Sequence, residues 1–282
     1  MQVKQLREKK FNKDQLIAQL HGMGIQTGDA LVVHSAYSTI GKVAGGPDTV
    51  IDALLEAVGT DGHLMFPAFS FHIDTGPYDP ATSPTTMGII PETARKRPQF
   101  YRSDFPRNSV IVAGPRAAQI AENHVSRGHC RAGDPFDRVA MMGGWVMLLG
   151  VGFRNNTMVH IGECYADLPH RRPSLAGPYI PLDYADGRQV LYNASGGPQC
   201  SEGFAAVEGI MRERNHIIDG YVGVSPVKLM KGKDVIFDTV DLLKRAPWAL
   251  YCNNPECHEC AKNRQTVMQE LLERKRRDEP CG

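Results

Sequence analysis

The fold of this chain is constrained most by an alternation of short apolar segments with helix-like segments over its first two thirds. The apolar segments lie at residues 29–34, 62–67, 109–113 and 145–151. The helix-like segments, with apolar residues at helical spacing, lie at residues 12–23, 49–58 and 115–124. Such alternation predicts an α/β protein with a mainly parallel central sheet between two layers of helices, a three-layer α/β/α fold.

Local signals refine this prediction. Asn12, with Gln15 three residues later, has the pattern of a capping box that begins the first helix. Pro47 suits the first turn of the second helix. The Asp186-Gly187 pair predicts the turn of a hairpin within residues 173–200, which we expect to be an antiparallel extension. Further helices are expected at residues 201–214 and 235–243.

The chain shows no internal repeat or linker that would divide its 282 residues. We expect residues 1–250 to form one domain. Residues 251–282, which include a cluster of cysteines, are expected to form a Cys-rich C-terminal extension packed on the same domain.

Charge and cysteine content narrow the function classes. Thirty-two basic and 31 acidic residues leave a net charge of +1, too little to gather nucleic acid, and we interpret the basic run at residues 273–277 as a solvated helix end. The chain has no run of eighteen apolar residues, so the sequence predicts no membrane span. Its first residues lack the apolar core of a signal peptide. Seven cysteines, an odd number, favour thiols or a metal site over disulfides. We expect a cytoplasmic protein with neither nucleic-acid nor membrane partners.

Residues 157–164 are expected to form a helix directly after the most apolar strand, a usual position for catalytic groups in α/β folds. On that helix His160 and Glu163 are three residues apart and share a face with Cys164. A carboxylate beside a histidine fixes its tautomer and raises its basicity, as a general base requires. The alternatives are that His160 is a core histidine and that Cys164 is a covalent nucleophile.

The turn after the first long strand carries His34 and Ser35 near several glycines. Hydroxyls, backbone amides and a helix start that converge can hold a phosphorylated cofactor tail. The segment has no nucleotide-binding fingerprint, so an ordinary polar turn is an equal alternative.

Cys252, Cys257 and Cys260 follow one another in a turn-rich segment near the C-terminus. A tetrahedral zinc site needs four ligands, and the Cys-x2-Cys pair supplies two with suitable geometry. We expect Cys200 to be the fourth ligand of a structural zinc site, with Cys281 or His258 as alternatives. Free thiols on a surface loop are the other possibility.

A family resemblance emerges when ordered motifs of this chain are taken together. They are Val33-His34-Ser35, Gly45-Gly46-Pro47-Asp48-Thr49-Val50, Phe66-Pro67-Ala68-Phe69-Ser70, Tyr78-Asp79-Pro80, Ser83-Pro84-Thr85-Thr86-Met87-Gly88 and Asn156-Thr157-Met158-Val159-His160-Ile161-Gly162-Glu163. Over residues 12–250 the chain resembles the aminoglycoside 3-N-acetyltransferase family. The resemblance implies that residues 1–250 are an acyltransferase domain and that acetyl-coenzyme A is the donor. It also implies direct transfer in a ternary complex without a covalent intermediate.

The resemblance also assigns roles to residues. His160 corresponds to the general base that takes a proton from the acceptor amine, and Glu163 to its carboxylate partner. The positions expected to line the pantetheine arm are His34, Ser35, Ser109 and Val110. Candidates for the acceptor wall, in the long loop that starts at residue 68, are His72, Asp74, Tyr78 and Asp79.

The chain departs from the family pattern at residues 105–109. Where family members often have His-Pro-Thr-His-Ser, this chain has Phe105-Pro106-Arg107-Asn108-Ser109. The acceptor is therefore expected to be an aminoglycoside-like or other amino-sugar amine, bound by a monomer or homodimer. The alternative hypothesis is a non-catalytic protein that binds coenzyme A or another ligand on the same fold.

Overall fold

The computed structural model describes residues 9–70, 76–128, 130–197 and 200–278. Its strands are β1 Lys10–Phe11, β2 Ala30–Ser35, β3 Lys42–Val43, β4 His63–Pro67, β5 Tyr101–Arg102, β6 Val110–Ala113, β7 Trp145–Leu149, β8 Tyr179–Asp183, β9 Gln189–Asn193, β10 Ile218–Val222 and β11 Ser225–Lys231. Its α-helices are α1 Lys13–Gly22, α2 Pro47–Val58, α3 Ile89–Arg95, α4 Ala117–Ala121, α5 His124–Arg127, α6 Pro135–Met141, α7 Met158–Tyr165, α8 Ala205–Glu213, α9 Gly232–Arg245 and α10 His258–Asp278.

A seven-stranded sheet with the order β10-β11-β7-β2-β4-β6-β5 forms the centre of the fold. Its middle strands β7, β2 and β4 are parallel, whereas the flanking pairs are antiparallel. The α/β class is confirmed, and the sheet is mixed, with its parallel part confined to the middle. Two of these antiparallel pairs, β10-β11 and β5-β6, join consecutive strands through connections too short for the crossover that parallel strands need.

Both faces of the sheet are buried, as the predicted three layers require. Alternate strand residues enter two separate cores. Val32, Met65 and Val146 pack against α6, α7 and α9 on one face. Leu31, Val33, Leu64, Phe66 and Met147 pack against α1 and α2 on the other.

Several local predictions are confirmed. Asn12 and Gln15 form a reciprocal capping box at the start of α1. The hairpin with Asp186-Gly187 at its turn is present as β8-β9, but it forms a separate two-stranded sheet and does not extend the central one. The antiparallel extension of the central sheet is instead β10-β11, which was not predicted.

The helix predicted over residues 115–124 is divided. Asn123 has a left-handed backbone (φ 56°), which ends one helical segment and separates α4 from α5. Short α6 was not predicted, although Asp134 before Pro135 is a helix-start signal, and the Asp134 side chain accepts a hydrogen bond from the Asp137 N–H.

The C-terminal segment contacts the rest of the chain at several points. Tyr251 is buried together with Cys260 and Val267. Arg172, which follows the 3₁₀ turn Pro169–Arg171, forms an ion pair of 2.9 Å with Glu270 of α10.

Within the described residues, no helix is both long enough and apolar enough to cross a membrane.

Candidate active site

The site lies where neighbouring parallel strands end. β2 and β7 end at Ser35 and Leu149, so their carboxyl ends meet at one edge of the sheet. A cavity of about 360 Å³ lies there. Its lining residues are His34, Pro67, Phe69, Met87, Arg107, Asn108, Cys130, Arg154, Asn155, Thr157, His160, Ser201 and Phe204. The cavity therefore collects side chains from several loops around the strand ends.

His160 and Glu163 lie on α7, one turn apart on the same face, as the sequence predicts. His160 Nδ1 is 2.6 Å from Glu163 Oε2, so the imidazole Nδ1–H donates to the carboxylate. Both side chains are buried, but His160 reaches the cavity lining. The ring of Phe204 meets the imidazole edge-on with the centroids 4.7 Å apart. This geometry leaves Nε2 as the ring nitrogen that can accept a proton.

Glu163 is held as a carboxylate. Burial raises the pKa of its carboxyl, but the charge and hydrogen bond of His160, with the charge of Arg171, lower it more. The net pKa lies below the usual value for a glutamate. Arg171, itself buried, also donates from Nη2 to the His160 carbonyl oxygen at 3.1 Å. The charge that orients His160 is thus present at neutral pH.

His34 is the second histidine of the cavity. Burial lowers its pKa to about 4, so the ring is neutral at neutral pH. Its Nε2 is buried and has no hydrogen-bond partner among the described residues. A buried nitrogen without a hydrogen-bond partner destabilises the fold unless a bound molecule supplies that partner. The observation agrees with the expectation that His34 faces a ligand.

The start of α7 is held by Asn156. Its Oδ1 accepts a hydrogen bond of 3.2 Å from the Met158 N–H, whereas Thr157 has no capping bond and lines the cavity. The polar turn from Arg154 to Thr157 thus provides both the helix start and part of the cavity wall.

The 3₁₀ turn Pro106–Asn108 lies where the chain departs from the family pattern. Arg107 and Asn108 line the cavity, and Asn108 Nδ2 donates to Cys130 Sγ at 3.2 Å. Phe105 is fully buried between His124 and the hairpin residue Tyr192. The departure therefore changes the cavity wall itself.

The other predicted donor-binding residues lie close by. The described residues that line the cavity do not include Ser35, Ser109 or Val110. Ser109 is buried, and its hydroxyl donates to the Ala68 carbonyl oxygen. Val110 is buried within β6. The predicted donor residues thus divide into His34, which faces the cavity, and three that lie around it.

The predicted acceptor residues separate. His72 and Asp74 lie outside the described residues. Tyr78 is buried, donates to the Ser103 carbonyl oxygen at 3.0 Å, and lines a second cavity of about 260 Å³ that shares Arg107 with the first. Asp79 accepts hydrogen bonds from Ala81 and Thr82 of its own loop. In this structure Asp79 therefore stabilises a turn.

Two cysteines near the site differ in exposure. Cys130 lines the cavity, but burial raises the pKa of its thiol well above the usual value. Cys164 on α7 is partly exposed and is not part of the described cavity lining. Because the thiolate is the nucleophilic form, the buried thiol of Cys130 is poorly suited to covalent catalysis.

The four cysteines predicted as metal ligands come together. The sulfurs of Cys200, Cys252, Cys257 and Cys260 all lie within 4.8 Å of one another. Cys200, which is distant in sequence, supplies the fourth side chain, as expected. The Cys252 N–H donates to Cys260 Sγ at 3.4 Å. Four thiols at this spacing match the donor set of a closed tetrahedral zinc site.

Sequence reasoning missed several residues that shape the site. Arg107, Cys130 and Phe204 line the cavity, and Arg171 contacts the backbone of His160. The basic run around Arg171 is visible in the sequence, but burial of one of its members depends on tertiary packing. Arg107 lies in the segment that departs from the family pattern, and that departure was the sequence feature that could have marked it as a site residue.

Comparisons with known proteins agree with this geometry. The chain is 32% identical over 248 residues to aminoglycoside N(3)-acetyltransferase IV of Salmonella sp., an alignment that covers 87% of this chain and 92% of the relative. The structure of this chain is similar to that of a histidine-to-alanine variant of aminoglycoside acetyltransferase AAC(3)-IVa in complex with a gentamicin. The TM-score is 0.82 and the identity 30%, and the match covers 92% of this chain and 98% of the other. It also matches AAC-IIIb in a binary complex with CoASH, with a TM-score of 0.73, 25% identity and coverage of 84% and 98%.

The family model described as aminoglycoside 3-N-acetyltransferase matches residues 32–244, most of the chain. With a similar relative and similar structures over almost their whole lengths, this match settles the classification. The chain belongs to the aminoglycoside 3-N-acetyltransferase family.

Proposed function

We propose that this enzyme transfers the acetyl group of acetyl-coenzyme A to an amine of an aminoglycoside-like amino sugar. The observation that carries the proposal is the His160–Glu163 pair, joined at 2.6 Å and placed at the cavity wall. The complexes of relatives with CoASH and with a gentamicin support the two substrate classes.

The proposed reaction is direct. An ammonium group has no free electron pair, so the acceptor must lose one proton to solvent before it attacks as a neutral amine, and the attacking nitrogen must then lose a second proton. His160 Nε2 takes that proton while the amine nitrogen bonds to the acetyl carbon. The carbon–sulfur bond then breaks, and coenzyme A leaves as a thiolate that takes a proton from the imidazolium or from water. Glu163 stabilises the imidazolium through Nδ1–H throughout.

For the donor, we propose that His34 contacts the pantetheine arm, since His34 lines the cavity and its buried Nε2 has no hydrogen-bond partner among the described residues. Arg107 and Arg154 add positive charge that suits the phosphates of coenzyme A. Ser35, Ser109 and Val110 are proposed to shape the same wall through their backbone.

For the acceptor, we propose that the loop at residues 72–79 provides one wall. His72 and Asp74 are its candidate contacts to the acceptor. Tyr78 and Arg107 line the neighbouring cavity, which can receive the far end of an amino sugar. We propose a supporting role for Asp79, because its carboxylate holds the loop.

The test measures thiol release from acetyl-coenzyme A with a panel of aminoglycosides, other amino sugars and simple amines. Wild type should release thiol with at least one aminoglycoside, and His160→Ala should lose roughly 100-fold or more in kcat, the typical contribution of a general base. The matched control is His216→Ala, since His216 pairs with Asp238 and is not part of the described cavity lining.

Each outcome decides between hypotheses. Thiol release only with another amine would keep the mechanism and change the acceptor. Binding of coenzyme A without thiol release across the panel would favour the non-catalytic binding protein, which the absence of the family's histidines at Phe105 and Asn108 motivates. Normal turnover by His160→Ala would contradict the proposed base.

We also propose that the four clustered cysteines bind one structural zinc ion. The mutual 4.8 Å spacing of their sulfurs supports it, and a reducing cytoplasm would keep such thiols available. Elemental analysis of purified protein should give about one zinc per chain. Cys257→Ser should lose the metal, whereas Cys164→Ser, a matched cysteine outside the cluster, should retain it. Wild-type protein that binds no zinc, even when Zn²⁺ is added, would overturn the site.

A further inference from the structure

A short segment joins the cysteine cluster to the active-site cavity. Cys200 belongs to the cluster, and the next residues, Ser201 and Phe204, line the cavity. Phe204 is fully buried, and its ring touches the imidazole of His160 with centroids 4.7 Å apart. Because close-packed side chains move together, the position of this segment affects the position of the His160 ring.

One anchor of the segment lies beside the cluster. Gly203 packs against the backbone of Leu250, where an added Cβ would lie 2.2 Å from the carbonyl oxygen. The ion pair between Arg154 and Glu202, at 3.0 Å, has both side chains exposed and contributes little. The Phe204 ring is also packed in the main core, so residues 250–260 contribute to its placement through the backbone of Gly203.

A second set of contacts leads from the cluster to His160. Tyr251 precedes Cys252, and its hydroxyl is 3.2 Å from His170 Nδ1. His170 belongs to the 3₁₀ turn whose Arg171 donates to the His160 carbonyl oxygen at 3.1 Å. The cysteine segment thus reaches both the ring and the backbone of His160.

We propose that the metal held by the four cysteines fixes Phe204 against His160 and thereby sustains acetyl transfer. This inference rests on the zinc site and the acetyl transfer proposed above. Four thiolates would fill a tetrahedral ion and leave no position for substrate, so the ion would take no part in the chemistry. Phe204 is on this account a positioning residue. Loss of the metal loosens one wall of the cavity.

The first experiment compares holoenzyme with enzyme from which the metal has been removed by a chelator. Backbone amide exchange should speed up in residues 201–213 and 250–260, and kcat should fall roughly 10- to 100-fold, the scale of a small misplacement at a reacting centre. Added Zn²⁺ should restore both. Unchanged exchange at residues 201–204 with unchanged kcat would overturn the inference even where zinc binds, whereas absence of zinc from the holoenzyme would refute the zinc site instead.

A second variant keeps the cysteines intact, in case removal of the metal unfolds the chain. Phe204→Leu should retain zinc and the fold, with a melting temperature lowered by the lost core contacts, and should lose about 10-fold in kcat. Its matched control is Phe237→Leu, an exposed phenylalanine on α9, for which we expect wild-type kcat. A wild-type kcat and pH profile for Phe204→Leu would contradict the positioning role.

Discussion

At the scale of single residues, the site depends on one carboxylate that stays charged while buried. A buried glutamate would ordinarily be neutral, because burial disfavours the charged form. Here the charge and hydrogen bond of His160, together with the charge of Arg171, reverse that preference and lower the pKa of Glu163. The buried pair therefore provides the oriented, charge-stabilised imidazole that proton transfer needs.

The Glu163→Gln variant tests this charge. Glutamine has nearly the same shape and can still accept from Nδ1–H, but it cannot stabilise the imidazolium. We expect kcat to fall about 100-fold or more while the fold is retained. Steady-state kinetics measure the effect, and Asp167→Asn, an exposed carboxylate paired with Arg172, is the control with expected wild-type kcat. A kcat near wild type for Glu163→Gln would mean that the charge is not used.

The pair could be predicted from sequence because both of its members lie on one helix. A spacing of three residues places side chains on one helical face wherever the helix packs. Phe204 reaches His160's cavity from a distant segment, so no local pattern predicts it. Residue contacts within an element are visible in sequence, and contacts between elements are not.

At the scale of elements, the catalytic helix is set by close packing on α9. Gly162, between His160 and Glu163, faces Thr239, and an added Cβ would lie 2.5 Å from the Thr239 Cβ. The same Cβ would lie 3.1 Å from the Ile236 carbonyl oxygen. Glycine is therefore required for this approach of the two helices.

Gly162→Ala tests the packing. The added methyl forces α7 away from α9, and overpacking of this kind costs about 1–3 kcal/mol of unfolding free energy. We expect a lower melting temperature and a lower kcat, because His160 and Glu163 move with the helix. Gly209→Ala on α8 is the matched control, since nothing lies within 4 Å of its added Cβ. That control should be as stable as wild type or more so, from helix propensity.

Equal stability and kcat in the two glycine variants would show that α7 adjusts without cost.

A difference in burial helps to explain which elements can be predicted from the sequence. Buried α2 and the central strands have strong apolar patterns, whereas the edge strand β10 has mostly exposed residues and no clear alternation. The apolar pattern depends on burial and on length, so the exposed strand β10 and the buried but seven-residue helix α6 are both among the elements missed.

At the scale of the whole molecule, strand order comes from contacts between distant segments. Alternating strands and helices predicted the α/β class, but β11 lies beside β7 only because the chain returns after α7, β8-β9 and α8. Such pairing is set by how both cores close, not by any local signal. The mixed character of the sheet therefore became visible only in the structure.

The whole molecule also carries several histidines that folding keeps neutral. Burial lowers the pKa of His34 to about 4, of His124 to about 3 and of His170 to about 4. Burial raises the pKa of Asp134 to about 7, which acts in the opposite direction. Between pH 4 and 6.5 the unfolded chain takes up protons on these histidines that the native chain does not, so stability increases with pH there.

We therefore expect the free energy of unfolding to fall as the pH is lowered from 7 to 5, by up to about 1.4 kcal/mol per pH unit for each net proton. Urea unfolding at each pH measures it. His124→Asn, at a histidine bonded to Ser103 and not part of the described cavity lining, should flatten the profile. Asp134→Asn, which can still cap α6, should steepen it, because it removes a proton uptake that opposes the histidines. A profile that stays level from pH 7 to 5 in wild type would show that these histidines are protonated in the folded chain.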